Sequence, residues 1–147
     1  YSMKKIIHLF CIALLSIVGT GCHDTDVWDD VPAKIATFLN QYYPNSQLSS
    51  CERTGSDWHV RISDGPALTF DASYNWTVIA GYGETLPQVL LFDQLPPALY
   101  DYLEETGSTT GVYSLERDKQ CYTVGLSNTS VVYDISTGRI HSPVPPA

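Results

Sequence analysis

Hydrophobic positions along the chain follow two periods in turn. Ile35, Phe38, Leu39 and Tyr42 recur at i, i+3, i+4 and i+7, which is one stripe of an amphipathic helix. Asp30 stands where it can cap that helix. Pro32 suits its first turn, where a missing N–H costs nothing, and Pro44 ends it. The period then drops to two. Trp58, Val60 and Ile62 alternate with His59 and Arg61, and Leu68 and Phe70 alternate with Ala67 and Thr69, as strands with one buried face require. TGSD (54–57), DGP (64–66) and SYN (73–75) supply turn chemistry between these runs. A fourth strand is predicted over 76–80.

The same order then repeats. TLPQVLLF (85–92) reads as a short helix leading in, and Leu95, Leu99, Tyr102 and Leu103 restate the stripe until Gly107 ends it. Tyr122, Val124 and Leu126 point inward, Thr123 and Gly125 outward, and Val131 and Tyr133 follow. Sliding the chain on itself by 64 positions superposes Pro32 on Pro96, Leu39 on Leu103, Glu52 on Glu116, Arg53 on Arg117 and Val60 on Val124. After one deletion near Gly65 the offset becomes 63, and Phe70-Asp71 meets Tyr133-Asp134. The prediction is an α+β fold of tandem duplicated units, each an N-terminal helix followed by a four-stranded antiparallel meander. A unit of about 55 residues is marginal alone, so the two are expected to share a core or join edges into one sheet.

The ends read differently. Lys4 and Lys5 precede an apolar run over residues 6–18, shorter than the ~20 residues a membrane-spanning helix needs, so residues 1–21 are expected to be a signal peptide. Tyr1 and Ser2 stand before the start Met3 and are read as a remnant. The run closes on VGTGC, where Cys22 after small residues matches the requirement for lipidation, although Gly19 stands where a larger aliphatic is usual. Ordinary secretory cleavage is the plainer alternative. An acidic tether (22–30) follows, then the domain (31–141), with repeat one over 31–82 and repeat two over 86–141, and a flexible Pro-rich tail (142–147). These features predict an outer-membrane lipoprotein of the bacterial envelope, facing either the periplasm or the cell surface.

Charge narrows the partners. The chain has 8 Lys and Arg against 16 Asp and Glu. Losing Lys4 and Lys5 leaves six bases against sixteen acids, a net of −10. Such a chain will not track nucleic-acid phosphates, and membrane contact is expected through the lipid anchor only. A basic surface on another envelope or extracellular protein would suit it. Of the four cysteines, Cys11 leaves with the signal and Cys22 is consumed by lipid. Cys51 and Cys121 then either bridge or remain two half-buried thiols. The repeat alignment pairs them with Leu115 and Asp57, which favours thiols.

The string from VPAKIATFL to YNWTVI resembles the PepSY-like, beta-lactamase-inhibitor-like family of secreted bacterial lipoproteins. The shared pattern is a proline-led helix, a YP near its end, a DG turn, then FD with a tryptophan soon after. Pro32, Tyr43-Pro44, Asp64-Gly65, Phe70-Asp71 and Trp76 supply it. The second copy has Gly107-Ser108, Asn128-Thr129 and Arg139 in the places of YP, DG and the tryptophan. The resemblance implies tandem helix-plus-sheet units and, by analogy with the inhibitor fold, a sheet face able to grip another protein.

Candidate chemistry is sparse, and no catalytic residue, metal site or cofactor is predicted. No His or Cys spacing suits a metal, and the acids at 24, 26, 29 and 30 lack the glycine and closing glutamate of a calcium loop. Cys51 with His59 is the one imaginable nucleophile and base, and a hairpin neighbour pair explains it better. Aromatic residues remain. Tyr74, Trp76, Tyr82 and Tyr113 fall in turns or at strand ends, and with outward His59, Arg61 and Thr123 they form the predicted partner-binding set. The expected function is a non-enzymatic, lipid-anchored binding module that engages a protein through its sheet, with hydrolase inhibition as one form. The alternative is an accessory lipoprotein that stacks a small molecule, peptide or glycan on the aromatic cluster.

Overall fold

The structure, a computed structural model, describes residue 28 and residues 30–142. The signal peptide, Cys22 with most of the tether, and the tail from 143 lie outside the described residues. From Pro32 onward the chain is one unit.

Helix α1 (Ala33–Tyr42) begins at Pro32 as N-cap, with no side chain capping it. Asp30 therefore does not hold the capping position expected of it: the helix starts two residues later, where the fixed φ of Pro32 sets the extended entry. Tyr43 closes the helix through its N–H to the Leu39 carbonyl, immediately before Pro44. Strands β1 (Leu48–Thr54), β2 (Asp57–Ile62), β3 (Ala67–Phe70) and β4 (Trp76–Ala80) follow. Then come helices α2 (Gln88–Gln94) and α3 (Pro97–Glu105), and strands β5 (Ser114–Arg117), β6 (Cys121–Gly125), β7 (Ser130–Asp134) and β8 (Ile140–His141). Helix α2 starts three residues after the predicted point because Pro87 takes its N-cap. At the end of α3, Gly107 adopts φ +69°. Its N–H reaches the Glu104 carbonyl, and the Ser108 N–H reaches that of Leu103, which together form a Schellman closure.

The architecture is α+β, and all eight strands form one antiparallel sheet in chain order. Strands β4 and β5 join through Val78–Glu116, Ile79–Leu115 and Ala80–Ser114, so the sheet runs unbroken from one half to the other. The ladders of the two halves share a register. Cys51–Val60 and Val60–Leu68 in the first half correspond to Leu115–Val124 and Val124–Val131 in the second.

Chaining these pairs gives one apolar row across the sheet: Val60, Leu68 and Ile79, then Leu115, Val124 and Val131, each at most 1% exposed. The helices back this face. The Phe38 ring of α1 meets Phe70 edge-on at 5.5 Å. Gln94 of α2 accepts the Trp76 indole N–H at 3.0 Å. Helix α3 contributes Leu99 and Leu103, both fully buried.

Trp76 is the main correction to the sequence reading. It belongs to the predicted partner-binding set, yet it is 2% exposed. A β-bulge is the cause. Thr69 pairs with Val78 while Phe70 pairs with Trp76, so Thr77 is the extra residue and Trp76 rotates from the outer face to the helix side.

The cysteines resolve as well. Cys51 opposes Val60 on the helix-backed face, whereas Cys121 lies beside inward-facing Tyr122 and so points the other way. Five strand spacings of about 4.8 Å separate β1 from β6, far beyond disulfide reach. The two do not bridge each other. The same parity puts His59 on the face opposite Cys51, so the sheet itself separates that imagined dyad.

Candidate functional site

The face opposite the helices carries no helix among the described residues, and its composition is unusual. One lane across it reads Ser50, Arg61, Ala67 and Ala80 in the first half, then Ser114, Gly125 and Ser130 in the second. From β3 to β7 every lane residue is Ala, Ser or Gly, a floor about 19 Å wide at four strand spacings. A Cβ on Gly125 would meet the Ser114 hydroxyl, so a larger residue there would force that side chain to another rotamer. The adjacent lane reads Glu52, His59, Thr69 and Val78, then Glu116, Thr123, Val132 and His141. Glu52 and Glu116 occupy repeat-related positions in it, whereas His59 aligns with Thr123, and His141 with Val78. Val78, Thr123 and Val132 are half-buried, while both acids and both histidines are exposed. The His59 Nδ1 and the Thr69 hydroxyl are 3.3 Å apart and brace the lane across two strands.

Three of the predicted residues, His59, Arg61 and Thr123, lie on this face. Tyr82 joins them at one end: it is 64% exposed, with φ +51°, and the Arg61 guanidinium sits 5.2 Å over its ring. Arg61, Asp64, Tyr82 and Glu84 line a cleft of about 420 Å³ there. Tyr74 sits at the other end of the strands, in the β3–β4 turn with φ +66°, 6.2 Å from the Trp58 ring. Tyr113 is half-buried and acts through its backbone, taking the Gly81 N–H at 2.9 Å and donating to Gly125 at 2.8 Å. The four aromatics are therefore dispersed, and the stacking platform they were expected to form does not assemble.

The turns at the Tyr74 end are built on carboxylates. Asp71 Oδ1 accepts the Ser73 and Asn75 N–H groups, and Asp134, its repeat partner, accepts those of Ser136 and Thr137. The Ser136 hydroxyl, followed by the Thr137 amide, lowers the Asp134 pKa. The Cys121 and Gln120 amides do the same for Asp118. These groups shape turns. Beside them, Arg117 stacks 4.2 Å over the buried Trp76 ring and donates to the Trp76 carbonyl at 2.6 Å. Among the described residues no three His, Cys, Asp or Glu side chains are placed to hold a metal ion.

Sequence reasoning named Ala67, Thr69, Thr123 and Gly125 as outward positions but did not see the lanes. Outward parity was readable strand by strand, whereas the register that lines up Ala80 with Ser114 across 33 intervening residues was not.

Helices backing a single antiparallel sheet, with the opposite face built of small and half-buried side chains, define an α+β scaffold with a small-residue face. The profile of the family described as "Putative beta-lactamase-inhibitor-like, PepSY-like" matches residues 19–78 and again 59–141. The chain belongs to this PepSY-like family. Solved structures agree in fold. A protein from Bacteroides thetaiotaomicron, described as a putative calcium-regulated periplasmic protein, is 24% identical, with TM-score 0.65 over 79% of this chain and 92% of its own. A putative periplasmic protein from Bacteroides vulgatus is 21% identical, with TM-score 0.63 over 81% and 92%. Another from the same species, described as of unknown function, is 16% identical, with TM-score 0.65 over 79% and 94%. No curated protein matches the sequence. Among the described residues no helix is long and apolar enough to cross a membrane.

Proposed function

We propose that the chain is a non-enzymatic, lipid-anchored protein of the bacterial envelope that engages another protein across the open face of its sheet. The small-residue floor from Ala67 to Ser130 carries this reading. A solvated antiparallel face ordinarily alternates to long polar side chains. Here a partner's backbone can approach the floor closely, with Val78, Glu116 and Val132 along one side of it and Glu52 and Arg61 as a polar rim on the β1–β2 flank. A low apolar centre within a charged rim is the anatomy of protein interfaces. The net charge favours a partner with basic character, and inhibition of a hydrolase is one form the engagement takes. The matching ladder registers support descent of the two halves from one duplicated unit. Neighbours described as periplasmic support an envelope location, with Cys22 as the anchor.

The test is cross-linking in native envelopes, with mass-spectrometric identification, for the wild type and for Ala80→Arg, which raises a long cation from within the floor. The wild type should capture a protein, and Ala80→Arg should bind the purified partner at least ~30-fold more weakly, the scale of a hot spot. Equal binding by a correctly folded Ala80→Arg protein refutes the sheet-face reading.

A further inference from the structure

Helix α2 is apolar on two sides, and only one of them is used. Leu90 and Leu91 are fully buried, and Gln94 is tied to Trp76. Val89 and Phe92, one turn apart on the outer side, are 55% and 66% exposed. The Phe92 ring stands edge-on to Tyr100 of α3 at 5.2 Å, which extends the patch across both helices. Acids surround it. Residues 88–105 contain Asp93, Asp101, Glu104 and Glu105, all exposed, and no Lys or Arg. Glu104 lies one turn beyond Tyr100, and Asp93 one turn beyond Val89. The Tyr42 hydroxyl donates to Asp93 at 2.9 Å and fixes that charge in place.

We infer that the Val89–Phe92–Tyr100 surface docks a cationic amphipathic segment of another protein, with an apolar side chain seated against Phe92 and basic residues over the surrounding acids. Charge selects this occupant. Two copies of the chain meeting here would press like charges together, and anionic lipid headgroups would be repelled in the same way. A helix with apolar residues at i and i+3 or i+4 and lysines beside them satisfies both the ring and the acids. The patch is on the helix-backed side, opposite the small-residue floor, so it stands independently of the sheet-face reading.

The experiment is fluorescence anisotropy of a labelled amphipathic Leu/Lys helical peptide against the full chain, with the matching Leu/Glu peptide as control. The wild type should bind the Lys peptide, more weakly as salt rises. Phe92→Ser and Val89→Ser should each cost about tenfold or more. Glu104→Gln should lower both affinity and salt dependence, and Ala80→Arg should change neither. Unaltered binding in both Ser variants, each folded by circular dichroism, overturns the inference, as does equal binding of the Glu peptide. It also fails if the wild type forms a dimer, or partitions onto phosphatidylglycerol vesicles, in a manner that Phe92→Ser abolishes.

Discussion

Trp76 connects both halves of the molecule, and replacing it by phenylalanine measures that connection. Its indole N–H donates to Gln94 Oε1 at 3.0 Å, the Gln94 amide donates to the Tyr42 hydroxyl at 2.9 Å, and Tyr42 donates to Asp93 at 2.9 Å. One chain of bonds therefore ties β4 to α2 and α1. Trp76→Phe removes the first donor and leaves the part-buried Gln94 oxygen without it, a cost of about 1–2 kcal/mol. The smaller ring leaves unfilled volume in the core, about 1 kcal/mol more. The stack with Arg117 at 4.2 Å weakens by about 0.5 kcal/mol. The sum is about 3 kcal/mol, which at a urea slope of about 1.5 kcal/mol/M lowers the midpoint by about 2 M. Far-UV circular dichroism should follow the transition, because tryptophan fluorescence would change with the probe itself. Gln94→Ala in a double-mutant cycle should show a coupling of about 1 kcal/mol. A loss below about 1 kcal/mol for Trp76→Phe, or a coupling within about 0.3 kcal/mol of zero, would refute the linkage.

Two further outcomes are expected. The Tyr43 hydroxyl is buried without a partner among the described residues, and burial pushes its pKa up to about 12. The unfolded tyrosine ionises near pH 10, so stability is complete below that pH and falls as pH rises toward 12, by about 1–2 kcal/mol once partial solvent screening is counted. Tyr43→Phe should match or exceed the wild type at pH 7 by up to about 1 kcal/mol and flatten the alkaline loss, though not abolish it, since burial also raises Tyr42. Equal pH slopes in denaturation at pH 8 and pH 11 would contradict this. For the anchor, metabolic labelling with a palmitate analogue should mark the wild type and spare Cys22→Ala, and equal labelling would reject Cys22 as the lipidated residue.

Periodicity made the helices and the buried face legible. Ile35, Leu39 and Tyr42 are buried as their stripe requires, as are Leu99 and Leu103, and Val60, Leu68 and Phe70 take the parity they were given. Trp58, Tyr122 and Tyr133 follow the same parity but are only half-buried, lying toward the end of the sheet beside the β1–β2, β5–β6 and β7–β8 turns. Trp76 escaped because one inserted residue reverses parity, and hydrophobicity alone does not reveal an insertion. In the sequence Val89 and Phe92 are simply part of a short apolar run. Which of its two apolar sides meets the core depends on where Pro87 starts the first turn.

Strand order identical to chain order puts β1 and β8 at the two margins of the sheet among the described residues, and a margin strand turns backbone donors and acceptors outward. Such borders invite neighbouring molecules to add strands without limit. Here the register slips between Leu48 and Ser50, and Glu52 and Arg53 stand exposed along the first border. The other border is two residues long, and the sequence soon runs into Pro143, Pro145 and Pro146, which have no N–H to offer. A wide sheet face can thus stay open to a partner while end-to-end growth into fibres is discouraged at both margins.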